Sequence, residues 1–120
     1  MYPKYPASAL KIAGFDTDAG LKRLSGKRDR YESLLRKFAE RQVGTVEAIR
    51  AALAEGNTST AELEAHSLKG AASTLGATTL AEVAARVEMA IRSGQNPNVA
   101  LDDLSHCLAV VVEAIRTSLP

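Results

Sequence analysis

At 120 residues, 46% of them apolar, the chain has enough material for one modest core and therefore one domain. Its single cysteine excludes an internal disulfide framework, and it has no run of about 18 apolar residues to span a membrane. The net charge of +1 is too small to indicate a nucleic-acid binder, although ten of the fifteen Lys and Arg lie within residues 1–46. That basic part could attract an acidic partner, but most of it reads as ordinary solvated helix surface.

In chain order, residues 1–11 read as an extended lead-in or linker, with prolines at positions 3 and 6, and 12–120 as the folded domain. Asp16 or Thr17 can cap a short helix running to about Ser25, with Gly26 stopping it. A long helical stretch follows from about Arg28 to Glu55, its apolar line made by Tyr31, Leu34, Leu35, Phe38, Val46, Ile49 and Leu53. Gly44 is expected to kink or divide it, and Gly56-Asn57 to end it.

Thr58, Ser59 or Thr60 can cap the next helix, which runs to about Leu75 and stops at Gly76. Another is predicted from about Thr79 to Ser93, with Leu80, Val83, Ala84, Val87 and Ile91 on one face. The last runs from about Asn98 to Thr117 with the stripe Leu101, Leu104, Leu108, Val111 and Ile115. All five aromatic residues lie within the first 38 positions, so the later helices must pack through Ala, Leu, Val and Ile. No alternating β-branched run suggests a strand. The expected fold is all-α: an antiparallel four-helix bundle with an additional short N-terminal helix.

The chemistry concentrates in Ala65-His66-Ser67-Leu68-Lys69-Gly70-Ala71-Ala72. With His66 at 0° on a helical wheel, Ala61, Ala65, Leu68, Ala72 and Leu75 fall between about 180° and 260°. His66 therefore faces solvent, and Glu62, Lys69, Gly70 and Ser73 share its side. Leu63 is an apolar residue on the same wet side. A helix-interior glycine costs about 1 kcal/mol relative to alanine, so Gly70 needs a reason. Close packing is a poor one on a solvent face. Close approach of a partner to the imidazole is a better one, and Lys69 beside it makes a small cationic site for an anion.

This stretch resembles the histidine-containing phosphotransfer (Hpt) domains of phosphorelays. The family motif, roughly His-x-Leu-Lys-Gly, small residues, then Leu-Gly-Ala, stands here as His66 through Ala77. Gly14-Phe15-Asp16 and the segment from Gly20 to Gly26 look like the family's opening helix. Tyr31 through Phe38 resembles the start of its first long helix, and Val87-Glu88 matches an apolar residue followed by Glu or Gln. The likeness covers about residues 12–117.

The resemblance implies that His66 accepts a phosphoryl group from an aspartyl phosphate of one receiver domain and passes it to another response regulator. It implies no ATP-dependent kinase activity, and the chain carries no Gly-x-x-x-x-Gly-Lys loop. It implies no cofactor in this chain, with Mg2+ on the partner receiver. Lys69 and Gly70 are expected to act beside His66. The attacking atom implied is Nε2, and Glu88 is the candidate acceptor for the Nδ1 proton, against a merely solvated glutamate. Arg92, one turn on, is a candidate for added positive charge. Glu62, Leu63 and Ser73 are the candidate docking residues; Leu21 and Leu24 could extend that surface but read as bundle core. His106 and Cys107 flank the last apolar stripe and read as structural. The expected setting is a cytoplasmic monomer without nucleic-acid or membrane contact. It is either the C-terminal module of a hybrid sensor kinase or a free-standing carrier, the module being favoured.

Overall fold

The computed structural model describes Leu10 and residues 13–119. The expected lead-in, residues 1–11, lies outside the described residues except for Leu10, which is helical and fully buried. The helices are α1 (Thr17–Arg23), α2 (Arg28–Gln42), α3 (Thr45–Ala54), α4 (Thr58–Leu75), α5 (Thr78–Arg92) and α6 (Asn98–Ser118). Among the described residues there is no strand, only an isolated bridge between Phe15 and Ala77. No helix there is long and apolar enough to cross a membrane.

The helical stretch expected from Arg28 to Glu55, to be kinked or divided at Gly44, is divided. Gly44 starts α3 as its N-cap, so α2 and α3 are two successive helices joined at Val43-Gly44. Thr45 ties the break together by donating to Gln42 Oε1 at 2.5 Å. The cap of α4 also differs from expectation. It is Asn57, whose side chain accepts from the Thr60 amide at 3.2 Å, rather than Thr58, Ser59 or Thr60. Asparagine is among the strongest N-caps, and Gly56 in the left-handed region (φ 76°) turns the chain into it.

The rods bury the faces that their spacing specifies. On α4, Ala61, Ala65, Leu68 and Ala72 are fully buried and Leu75 is nearly so. Against them pack Leu80, Ala84 and Val87 of α5, with Leu101, Leu104, Leu108, Val111 and Ile115 of α6 completing the core. The alanines let α4 lie close to α5, the neighbour it meets most extensively. Burying one such Leu or Val contributes roughly 1.5–3 kcal/mol.

At one end, α1 is clamped over the α4–α5 turn. Gly76 ends α4 at φ 83°, and its carbonyl accepts from the Asp16 amide at 2.6 Å. Asp16 also caps α1 through the Ala19 amide at 3.0 Å. The Tyr31 hydroxyl donates to the Leu75 carbonyl at 2.6 Å, and Arg23 Nη1 donates to the Ser73 carbonyl at 2.6 Å. Leu21 and Leu24 are half-buried against the core. This end fixes α4 in place, and α4 carries the polar cluster described next.

Candidate functional site

His66 lies near the middle of α4, on the side opposite its buried alanines, and its side chain is 59% exposed. Its Nδ1 is 2.8 Å from Oε2 of Glu88, which projects from the facing turn of α5. Glu88 is itself only 4% exposed, so it is not a solvated glutamate. A buried carboxylate must have partners, and this one has three. Lys69 Nζ lies 2.7 Å from Oε1, and Arg92 Nη2 donates to Oε2 at 2.7 Å. With the imidazole, these two cations enclose both oxygens.

The consequence is electrostatic. Above all the Lys69 ammonium, and then the His66 ring, hold the Glu88 carboxyl below its ordinary range, against the opposing push of burial. An ionised carboxylate can only accept. Nδ1 of His66 must therefore be the donor, and a neutral ring then carries its lone pair on Nε2. The tautomer follows from the pairing.

Arg92 is held at two points. Besides Glu88, its Nε donates to Glu62 Oε2 at 2.9 Å. Glu62 lies one turn before His66 on α4. Glu62, and Glu88 with it, push the guanidinium's pKa further up, so it stays charged. The ion pairs thus form a chain across the α4–α5 groove: Glu62, Arg92, Glu88, then Lys69 and His66.

The structure joins His66, Lys69, Glu88, Arg92 and Glu62 and leaves the other singled-out residues around the rim. Leu63 is 63% exposed. Ser73 is exposed, and its carbonyl is taken by Arg23. Gly70 is exposed, and a Cβ built there would meet nothing within 4 Å. Met89 is a further exposed apolar residue, 55% exposed beside Glu88, that the α5 pattern left unremarked. Arg23 was unremarked too, because its partner is fifty residues away. The spacing of Glu88 and Arg92 (i, i+4) was a readable signal for their pair; the Glu62–Arg92 pair has none within one helix.

His106 is exposed and Cys107 half-buried on α6. Burial pushes the Cys107 thiol's pKa upward, which disfavours the reactive thiolate. Among the described residues no group of three or more His, Cys, Asp or Glu could hold a metal ion.

Comparison with known proteins gives the family and the fold. The family model described as "Hpt domain" matches residues 33–117. The crystal structure of histidine-containing phosphotransfer protein B (HptB) from Pseudomonas aeruginosa PAO1 is similar in fold. Its TM-score is 0.77 at 24% identity, covering 87% of this chain and 92% of that one. No curated protein sequence matches significantly.

Proposed function

This chain belongs to the Hpt domain family, the histidine phosphotransfer domains of phosphorelays, and from that premise we propose that His66 is its phosphoacceptor. It takes the group from an aspartyl phosphate of one receiver domain and returns it to an aspartate of another response regulator. The observation that carries the reading is the His66–Glu88 pair: an exposed imidazole whose Nδ1 proton is held by a buried, ionised carboxylate.

The step balances without an added acid or base. Nε2 attacks phosphorus in line as the bond from phosphorus to the aspartate oxygen breaks. The aspartate leaves as a carboxylate and needs no proton. The ring becomes an N-phosphorylated imidazolium, and its Nδ1–H stays directed at Glu88, whose negative charge stabilises the positive charge gained. Phosphoryl transfer is mostly positioning and charge stabilisation. Glu88 positions the ring, while Lys69 and Arg92 supply positive charge within reach. Mg2+ is assigned to the receiver. Gly70 leaves room for the receiver's approach, and the exposed Leu63 offers it an apolar contact, with Ser73 at the edge.

The finer setting proposed is a cytoplasmic monomer acting as the C-terminal module of a hybrid sensor kinase, with the free-standing carrier as the alternative. A receiver domain encoded directly before residue 1 would decide for the module.

The test is phosphorylation by a phosphorylated cognate receiver. One acid-labile, base-stable phosphate per chain is expected, with none on His66→Gln at unchanged helicity. Phosphate retained in that variant, or found on His106, overturns the assignment.

A further inference from the structure

The Glu62–Arg92 pair has a role beyond holding two helices together. Around His66 the resting charges cancel: Glu62 and Glu88 are negative, Lys69 and Arg92 positive. A phosphoryl group on Nε2 brings nearly two negative charges to this set, of which the imidazolium offsets one. Both cations share Glu88 with the imidazole, and the phosphoryl group is a more highly charged competitor for them than a carboxylate. Lys69 is tied at one point, to Glu88. Arg92 is tied at two, with Nε on Glu62 at 2.9 Å and Nη2 on Glu88 at 2.7 Å. Leaving Glu88 alone is not enough to free it.

We propose that Glu62 is a positioning residue that limits how far Arg92 can stabilise the phosphohistidine and so keeps the phosphoryl group transferable. The proposal rests on the reading of His66 as phosphoacceptor. A carrier must not be a sink: every increment of stability in the phosphorylated state is a barrier to passing the group on. Glu62 acts in two ways. It is a like charge near the incoming phosphoryl group, and it withholds the guanidinium that would otherwise neutralise that group. Its side chain is 34% exposed, and it makes no other hydrogen bond or ion pair among the described residues.

The experiment uses the full chain and phosphoramidate as donor, so that no receiver is needed. The bond from phosphorus to the ammonia nitrogen breaks, the bond to Nε2 forms, and ammonia leaves. At fixed phosphoramidate and ammonium, phosphorus NMR reads the plateau ratio of phosphorylated to free chain. Glu62→Gln should raise that ratio about two- to fivefold, the range expected for one partly exposed ion pair. Glu62→Asp should fall between it and the parent. In an Arg92→Gln background the effect of Glu62→Gln should shrink toward the residual charge effect alone, below about half of its size in the parent. A merely structural role for Glu62 would change unfolding midpoints and leave the ratio alone. A ratio within 1.5-fold of the parent, on the order of measurement error, or a full-sized effect without Arg92, overturns the proposal. Failure of the underlying reading looks different. Then the parent takes up no phosphate, or His66→Gln still takes it up.

Discussion

Gly20 and Gly70 are both glycines inside helices, and the space around them is opposite. A Cβ at Gly20 would lie 2.5 Å from the Leu75 carbonyl oxygen and 2.7 Å from the Tyr31 ring. At Gly70 it would meet nothing within 4 Å. Gly20 is buried where α1 is clamped over the α4–α5 turn; Gly70 is exposed one turn beyond His66. The first is required by the chain's own packing. The second costs helix stability and returns nothing to this chain, so its benefit must lie in something that comes to the chain. The clamped end makes α4 rigid, and the open face uses that rigidity.

The contrast is sharpest where packing is violated. Gly20→Ala must displace a backbone carbonyl and a buried ring, so it should destabilise by about 1–3 kcal/mol despite alanine's better helix propensity. Urea unfolding measures this. Phosphoryl transfer per folded molecule should change little, because the partners of Glu88 come from α4 and α5 and none from the clamp. If transfer falls while the unfolding midpoint holds, the clamped end belongs to the site rather than to the scaffold.

Gly70→Gln should invert that pattern. Folding should be unimpaired, with several tenths of a kcal/mol gained from helix propensity. Transfer from a phosphorylated receiver should slow about tenfold or more, since a long side chain would stand where the partner must come, and a tenfold loss corresponds to only about 1.4 kcal/mol. Phosphorylation by a small donor should be nearly spared. A variant that is less stable but equally fast would move Gly70 into Gly20's class.

The same division explains what the sequence disclosed. The buried faces of α4, α5 and α6 were legible because each is a local pattern: Leu101, Leu104, Leu108, Val111 and Ile115 recur at helical spacing and are all buried. Gly70 was legible as an anomaly in such a pattern. Gly44 alone does not choose between a kink and a division, because glycine permits both and the packing of α3 beside α4 decides. The Asn57 cap is hidden in the sequence because Gly56-Asn57 already reads as a helix terminator, yet one residue can follow one helix and cap the next. Glu88 lies beside the core stripe of α5, so its own helix could not say whether it was covered. What covers it comes from α4, where Lys69 and His66 reach across. Glu62 reads as a docking residue in the sequence for the same reason: its partner Arg92 is thirty positions away.

Lys69 serves both the fold and the open face, and it gives the smallest and most specific effect. Its side chain is 35% exposed, and its ammonium lies 2.7 Å from the buried oxygen of Glu88. It therefore serves the open face as a source of positive charge and the fold as a counter-ion. Removing it in Lys69→Ala leaves the Glu88 carboxyl without the largest influence lowering its pKa, while burial still pushes that pKa up. The carboxyl should then titrate at higher pH, which carbon NMR of the Glu88 carboxyl reads directly. The sign in stability follows. A carboxyl whose folded pKa is depressed adds stability above its ordinary value of about 4.3 and loses it as the pH falls through the depressed folded value. In Lys69→Ala that contribution is smaller, and its loss is complete at a higher pH. The parent should thus exceed the variant by about 1 kcal/mol or less at pH 7, a partly exposed pair being worth no more. The difference should shrink as both carboxyls become protonated in acid. On the functional side, the saturating rate of transfer should fall more than the affinity for an unphosphorylated receiver, because the phosphoryl charge is present only during and after transfer. A stability difference independent of pH would mean that Lys69 contributes through its aliphatic stem alone. A saturating rate within twofold of the parent, with binding weakened, would leave it a contact residue and return the charge stabilisation to Arg92.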